Sequence, residues 1–291
     1  MTPSTNPLGD YLRARRGLVK PEDAGIPDVG IRRVPGLRRE EVAMLAGISA
    51  DYYLRLERGK DRRPSVQVLE SIARVLQLDA EHLDYLMTLT ADKPRQRRRR
   101  PRRQTVPRGA HQLLMSLAQP AFIEDRYFDI LAANPLAMAL SPRMAEGGNQ
   151  MRDMFLDPAE QALYPQWQKV TNCFIANLRQ SVGTDVDDPR FIELAGEMSL
   201  ASPWFRELWA LHDVKGQEGT PLLFDHPEVG EMTLNRERLA IGGSDGLHLV
   251  VFHPDPGSQD ADKLAILASS ALPVAVAQPH SPDPSTRESR A

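Results

Sequence analysis

A single cysteine, Cys173, stands in a chain of 291 residues, so no internal disulfide can form and a reducing compartment suits the protein. No uninterrupted apolar run approaches the roughly 20 residues that a membrane-spanning helix requires. The opening MTPSTNPLGD has neither a basic n-region nor an apolar h-region, so no secretory signal is expected. We therefore expect a cytoplasmic protein without a membrane partner. Catalytic signatures are missing too. The seven histidines form no H-x₃-H or HExxH pair and Cys173 has no thiol neighbour, which argues against a metal site. There is no G-x-S-x-G elbow and no phosphate-binding glycine loop. His212 and Asp213 are adjacent, but neighbours on a helix diverge and do not work as a pair. The expectation is a protein that is not an enzyme and requires no cofactor.

What is present is an uneven charge. Residues 1–108 hold 23 Lys+Arg against 14 Asp+Glu, a balance of +9, and residues 109–291 hold 13 against 25, a balance of −12. The two sum to the net −3 of the whole chain. A basic half joined to an acidic half points to a polyanion-binding module attached to something with another task. Between them runs RQRRRRPRRQ, residues 95–104. It cannot bury anything and reads as linker, with charge that raises non-specific affinity for nucleic acid or sends an arm into a minor groove.

The pattern predicts two domains: an all-α domain over 1–91, the Arg-rich linker over 92–108, an α+β domain over 109–275, and a disordered Pro/Ser-rich tail over 276–291. In the first domain, helices are expected over 8–16, 38–46, from Ser49 to Gly59, from Ser65 with Val66, Leu69, Ile72, Ala73 and Leu76 inward, and over 79–90 with an Asp cap. The second domain begins with two short strands in AFIED and YFDILAAN. It continues mostly helical from Pro135 to about Leu211 and returns to strands in PLLFDHP, GEMTLNRERLAI and LHLVVFHP. The last two flank the hairpin signal GGSDG, and ADKLAILASSA closes the domain as a helix. Strands, helices and hairpin strands in that order describe an antiparallel sheet with surrounding helices.

REEVAMLAGISADYYLRLERG, residues 39–59, carries the most information. Val42, Ala43 and Ala46 share a face, and the small Ala43 lets a second helix cross closely. Gly47 supplies an unrestricted turn, Ile48 plugs the angle, and Ser49 caps a helix with Tyr53 and Leu56 inward. Ala50, Asp51, Tyr52, Leu54 and Arg55 then point outward, which suits insertion of the helix N-terminus into a major groove. Arg55 suits guanine O6/N7 or a phosphate, and Tyr52 a phosphate or a thymine methyl. Asp51 either accepts from cytosine N4 or favours the helix N-terminus. Arg38, Arg39, Lys60, Arg62 and Arg63 lie at the edges as phosphate contacts. Glu57 is expected to pair internally with Arg13 or Arg16.

These residues resemble the Xre-type, lambda-repressor-like helix-turn-helix, and the longer string PGLRREEVAMLAGIS with DYYLRLERG resembles the MmyB-like transcription regulators. Unlike the ordinary Xre pattern, this chain carries an insertion of roughly 20 residues after the first helix, within which Arg32 and Arg33 add basic charge. The strand–Asn–helix junction in YFDILAANPLAMAL resembles the PAS fold. FLDP at 155–158, ASPWFRELWALHDV at 201–214 and HPEVGEMTL at 226–234 resemble the MmyB-like ligand-binding domain. Relatives usually have a large aromatic where this chain has Ala133.

The resemblance implies a PAS-like domain able to hold a fatty-acid-like molecule, and a bound fatty acid is the expected ligand. An acyl chain needs an elongated apolar cavity with polar groups at one end. Candidates on the first strands and the helix after them are Phe122, Ile130 and Asn134. The helical region offers Met151, Phe155, Phe174, Leu178, Phe205 and Trp209, and the last strands offer Met232, Leu234 and Val251. Arg206 or His212 is the candidate for a carboxylate head group. The expected protein is a one-component regulator that binds double-stranded operator DNA as a homodimer and senses an apolar small molecule. The alternative is a C-terminal half that only dimerises or binds protein through a filled core.

Overall fold

The computed structural model describes residues 6–27, 34–61, 63–90, 104–182, 188–213, 221–244 and 246–271. The linker run up to Arg103, Arg32, Arg33, Arg62 and the C-terminal tail lie outside them.

The N-terminal helices are α1 (Pro7–Leu18), α2 (Arg39–Leu45), α3 (Ala50–Glu57), α4 (Val66–Val75) and α5 (Ala80–Thr90), with a short 3₁₀ turn at Glu22–Ala24. Their starts are set by local chemistry. Asn6 accepts from the Gly9 amide and Pro7 occupies the first turn, where its missing N–H costs nothing. Ser49 accepts from the Tyr52 amide, Ser65 from that of Val68, and Asp79 from that of His82. Gly47 sits at φ +68°, the left-handed turn between α2 and α3. Gly9 is small for a different reason: a Cβ there would lie 2.1 Å from the Glu57 carbonyl oxygen, so α1 packs directly on the end of α3.

The apolar stripes of these helices converge on Leu12, Leu37, Val42, Tyr53, Leu56, Leu69, Ile72 and Leu86, all buried. Each such side chain contributes roughly 1.5–3 kcal/mol by leaving water. Val66 departs from the expectation: it is 59% exposed, because the first turn of α4 projects past the core. At the centre of the domain, the fully buried Glu57 carboxylate receives Arg16 Nε at 2.7 Å and Arg39 Nε at 2.6 Å. Arg16 also donates to the Leu37 carbonyl at 2.8 Å. One carboxylate thus ties α1, α2 and α3 together. Arg16 fulfils the expected pairing, whereas Arg13 reaches only the Glu57 backbone oxygen.

The C-terminal elements are α6 (Arg108–Ser116), β1 (Ala121–Glu124), β2 (Ile130–Ala133), α7 (Pro135–Leu140), α8 (Gln150–Leu156), α9 (Pro158–Leu163), α10 (Trp167–Val182), α11 (Pro189–Ala201), α12 (Pro203–Ala210), β3 (Leu222–His226), β4 (Gly230–Ala240), β5 (His248–His253) and α13 (Gln259–Ala271). The strands form one antiparallel sheet in the order β2-β1-β5-β4-β3. The β4–β5 hairpin turns at Gly242–Ser244, with Gly243 at φ +75°.

Alternation gives the sheet two faces. The inner face presents Phe122, Phe224, Met232, Leu234, Val250 and Phe252 to the helical layer in one continuous core. The outer face presents Ala121, Ile123, Ala132 and Leu249 to a smaller cluster closed by Leu114 of α6. Helix α6 was not among the elements expected from sequence, which opens the second domain on strands: Leu114 is its single buried residue. Val251 belongs to this outer cluster, so it does not line the inner core with the other candidates. Removing the central anchor should be costly. Glu57→Ala is expected to lower the free energy of urea unfolding by about 3–5 kcal/mol, since it strands two arginines. Glu57→Gln should lose less, and a loss below about 1 kcal/mol for the alanine variant would contradict the role given to the carboxylate.

Candidate functional site

On α3, Ser49 is spent as the cap, while Ala50, Asp51 and Arg55 are exposed and Tyr52 is half-buried against the domain core. Asp51 does something neither sequence reading foresaw: it forms an i,i+4 ion pair with Arg55. The Arg55 guanidinium also lies over the Tyr52 ring, 5.5 Å from its centroid. Arg55 is thus held on the surface of α3 between Asp51 and the Tyr52 ring. Arg38, Lys60 and Arg63 are exposed at the rim. Arg39 is tied inward as well. Its guanidinium is bonded through Nε to buried Glu57, a hydrogen bond that raises its pKa, while 41% of its side chain stays exposed at the rim.

In the second domain, Phe122, Ile130, Met151, Phe155, Phe174, Leu178, Phe205, Met232 and Leu234 all meet in the inner core, and Trp209 packs against it half-buried. Phe205 stacks on Trp209 at 5.8 Å with rings 5° apart, Phe155 meets Phe205 edge-on at 5.4 Å, and Phe128 tilts on Phe174 at 5.2 Å.

The polar candidates fare differently. Asn134 caps α7 by accepting from the Ala137 amide at 2.9 Å. It also accepts from Ala121 N and donates to the Gln119 carbonyl. Its side chain locks β1 to α7 rather than facing a ligand. Arg206 is exposed on the outer side of α12 and bonds the Ser199 carbonyl at 2.6 Å, so it does not reach the core. His212 lies beyond the end of α12 in left-handed backbone, φ +51°, and turns toward the first domain.

His212 belongs to a junction between the domains. Arg179 of α10, only 5% exposed, donates to the Trp209 carbonyl at 2.7 Å and meets His212 Nδ1 at 3.1 Å. Its guanidinium lies 4.0 Å from the centroid of the Trp209 ring. On the other side it meets the hydroxyl of Tyr85, on α5 of the helical domain. Burial lowers the Arg179 pKa, and burial together with Arg179 pushes His212 down to about 3. A neutral His212 can therefore accept at Nδ1. Beside this contact, His82 Nε2 lies 2.9 Å from Asp213 Oδ1.

A second polar group occupies the inner face of the sheet. Glu124 of β1, fully buried, receives Arg238 Nε of β4 at 2.7 Å. The Arg236 Nη2 lies 3.8 Å from the same carboxylate oxygen, Glu124 Oε1. Arg236 faces the Phe174 ring at 5.7 Å and Arg238 the Phe128 ring at 5.5 Å. Burial lowers the pKa of Arg236, and burial with Arg238 nearby lowers that of His248 to about 4. None of these four was singled out from sequence, since the alternating NRERLA of β4 reads as the polar end of a strand. Among the described residues no group of three or more His, Cys, Asp or Glu is placed to hold a metal ion. Nor, among them, is any helix long and apolar enough to cross a membrane.

A short helical domain presenting a capped helix, joined to a sheet-and-helix domain with an aromatic core, defines a DNA-binding helix-turn-helix protein with a ligand-binding domain. Comparison with known families agrees in both parts. Residues 7–86 match a helix-turn-helix domain. Residues 106–267, more than half of the chain, match the MmyB-like transcription regulator ligand binding domain. The chain belongs to the MmyB-like transcription regulators. Both matched domains are regulatory modules rather than enzymes. No curated protein matches the chain as a relative.

The Asp51–Arg55–Tyr52 group yields a direct test of the expected DNA contact. Arg55→Ala is expected to cost about 1–3 kcal/mol on a site selected from a random DNA pool, the worth of a bidentate base contact. It should cost clearly less on unselected DNA, with both affinities measured by fluorescence anisotropy at one salt concentration. Equal losses on both would place Arg55 among the phosphate contacts.

Proposed function

We propose that this protein is a one-component transcription regulator whose C-terminal domain, PAS-like in layout, holds an apolar, fatty-acid-like molecule and whose N-terminal domain binds operator DNA sequence-specifically. One recognition helix reads too few base pairs alone, so the binding form is a symmetric dimer on paired half-sites. Arg38, Lys60, Arg62 and Arg63 supply phosphate contacts around α3, and the arginine linker adds salt-dependent grip.

The observation that carries this reading is the junction at Arg179. This residue sits on α10, whose Phe174 and Leu178 belong to the inner core, and it is packed on Trp209, whose ring stacks with Phe205. Its other neighbour, Tyr85, belongs to the DNA-binding domain and meets Tyr11 of α1 edge-on at 5.2 Å. A molecule that repacks the aromatic core therefore has a short route to the helical domain. Binding energy shifts an equilibrium only where it differs between two states, and this contact differs as soon as Trp209 moves.

One observation favours a second reading, in which the domain only mediates dimerisation. Nine of the expected lining residues are almost wholly buried against one another, as in a filled core. Gentle purification followed by organic extraction and mass spectrometry separates the two. The ligand reading predicts a long-chain organic acid in near-stoichiometric amount, and repeated preparations free of any lipid would favour the filled core.

A further inference from the structure

We propose that Arg236 and Arg238 form the head-group site for a monoanionic amphiphile, a carboxylate whose apolar tail lies in the aromatic core. This rests on the ligand-binding reading above and assigns the end of the ligand that Arg206 and His212 do not reach.

Charge is the first ground. Two guanidinium groups, each with 16–17% of its side-chain surface exposed, share the single fully buried carboxylate of Glu124. The neighbouring imidazole, His248, stands opposite Glu124 on β5 and is neutral near pH 7. The cluster thus carries one positive charge without a counter-charge in a setting where unpaired charge is expensive. One negative charge neutralises it. A dianion would overshoot and meet Glu124, so a monoanion fits best.

Unused hydrogen-bonding capacity is the second ground. Arg236 Nη2 and Arg238 Nη2 are enclosed and have no hydrogen-bond partner, as is His248 Nδ1. Buried polar atoms in native proteins nearly always find partners. Two guanidinium donors left over on neighbouring positions of one strand, i and i+2 on the same face, suit the two oxygens of a carboxylate. Glu124 Oε2 is likewise unsatisfied, but Glu124 Oε1 already faces both arginines, so its charge is engaged.

Surroundings are the third. Phe174 and Phe128 lie against the two guanidinium groups and meet each other, tilted, at 5.2 Å. Phe174 and Leu178 continue along α10 toward Trp209 and Phe205. A polar head at the sheet and an apolar run away from it are the two ends of an amphiphile.

The test compares decanoate with decanol on the full-length protein by isothermal titration calorimetry. Wild type should bind the acid roughly tenfold or more tightly than the alcohol, as expected for a charge-assisted bidentate contact. Arg236→Met and Arg238→Met should bring the acid down to the affinity of the alcohol and leave the alcohol unchanged. Arg236→Lys should recover part of the preference, and Arg206→Met should keep all of it. If wild type binds acid and alcohol equally, or if both methionine variants retain the preference, the head-group assignment is wrong while ligand binding stands. The wild-type comparison decides this even if a variant fails to fold. If wild type binds neither probe, the ligand-binding reading falls and the head-group site with it.

Discussion

A guanidinium that leaves water must replace its hydration on every side, and the effective cost of failing is several kcal/mol per ion. Arg179 answers most of that constraint by drawing on two domains at once, with its Nε left without a partner. The ligand-binding domain supplies the Trp209 carbonyl, the Trp209 ring and a neutral His212. The helical domain supplies Tyr85. Neither domain alone supplies all of these partners, so the orientation of one on the other is bound to the packing around Trp209. His212 accepts left-handed backbone at a non-glycine position, a conformation that persists only where the surroundings over-determine it.

From this contact a continuous line of packed groups reaches α3 of the helix-turn-helix. Tyr85 meets Tyr11 on α1, and α1 carries Arg16 to Glu57, the last residue of α3. In the other direction Trp209 stacks on Phe205 and through it touches Phe155. Contiguity is not coupling in itself. It becomes coupling when two ligands bias the same element, and the element at issue is the seat of α1 and α5 on the second domain. In the proposed complex the inner-face arginines hold the charged end of the ligand against that same core. One molecule can then anchor at the sheet and press on the helices that hold Arg179.

How much of this the sequence disclosed follows from the range of each interaction. Caps and turns act over three or four residues, so Ser49, Ser65, Asp79, Gly47 and the GGSDG hairpin were legible directly. Strand and helix order in the second domain followed from periodicity, and most inward apolar residues were identified because they recur every second or fourth position. Failures came where a side chain's fate depends on a distant partner. Arg206 and His212 were selected for proximity to Trp209 along the chain, yet the rotation of α12 turns Arg206 outward and the chain beyond α12 carries His212 to the domain boundary. Arg39 looked like a rim cation only, and it also shares the buried Glu57 carboxylate with Arg16. Arg236 and Arg238 drew no reading from sequence, since their enclosure depends on helices far away along the chain. Helix α6 buries one leucine, too little to leave a period. Local rules thus recovered the frame, whereas the polar groups that distinguish this core required tertiary placement.

The central claim is that the ligand core and the DNA surface share one switchable contact at Arg179. The most direct measurement is the affinity of the full-length protein for a DNA site selected from a random pool, with and without saturating decanoate, in wild type and Arg179→Met. The account predicts a ligand-dependent change of roughly 5–150-fold in wild type, the usual span of allosteric coupling, and little or none in the variant. An unchanged affinity in wild type, or an equal change in Arg179→Met, would contradict it.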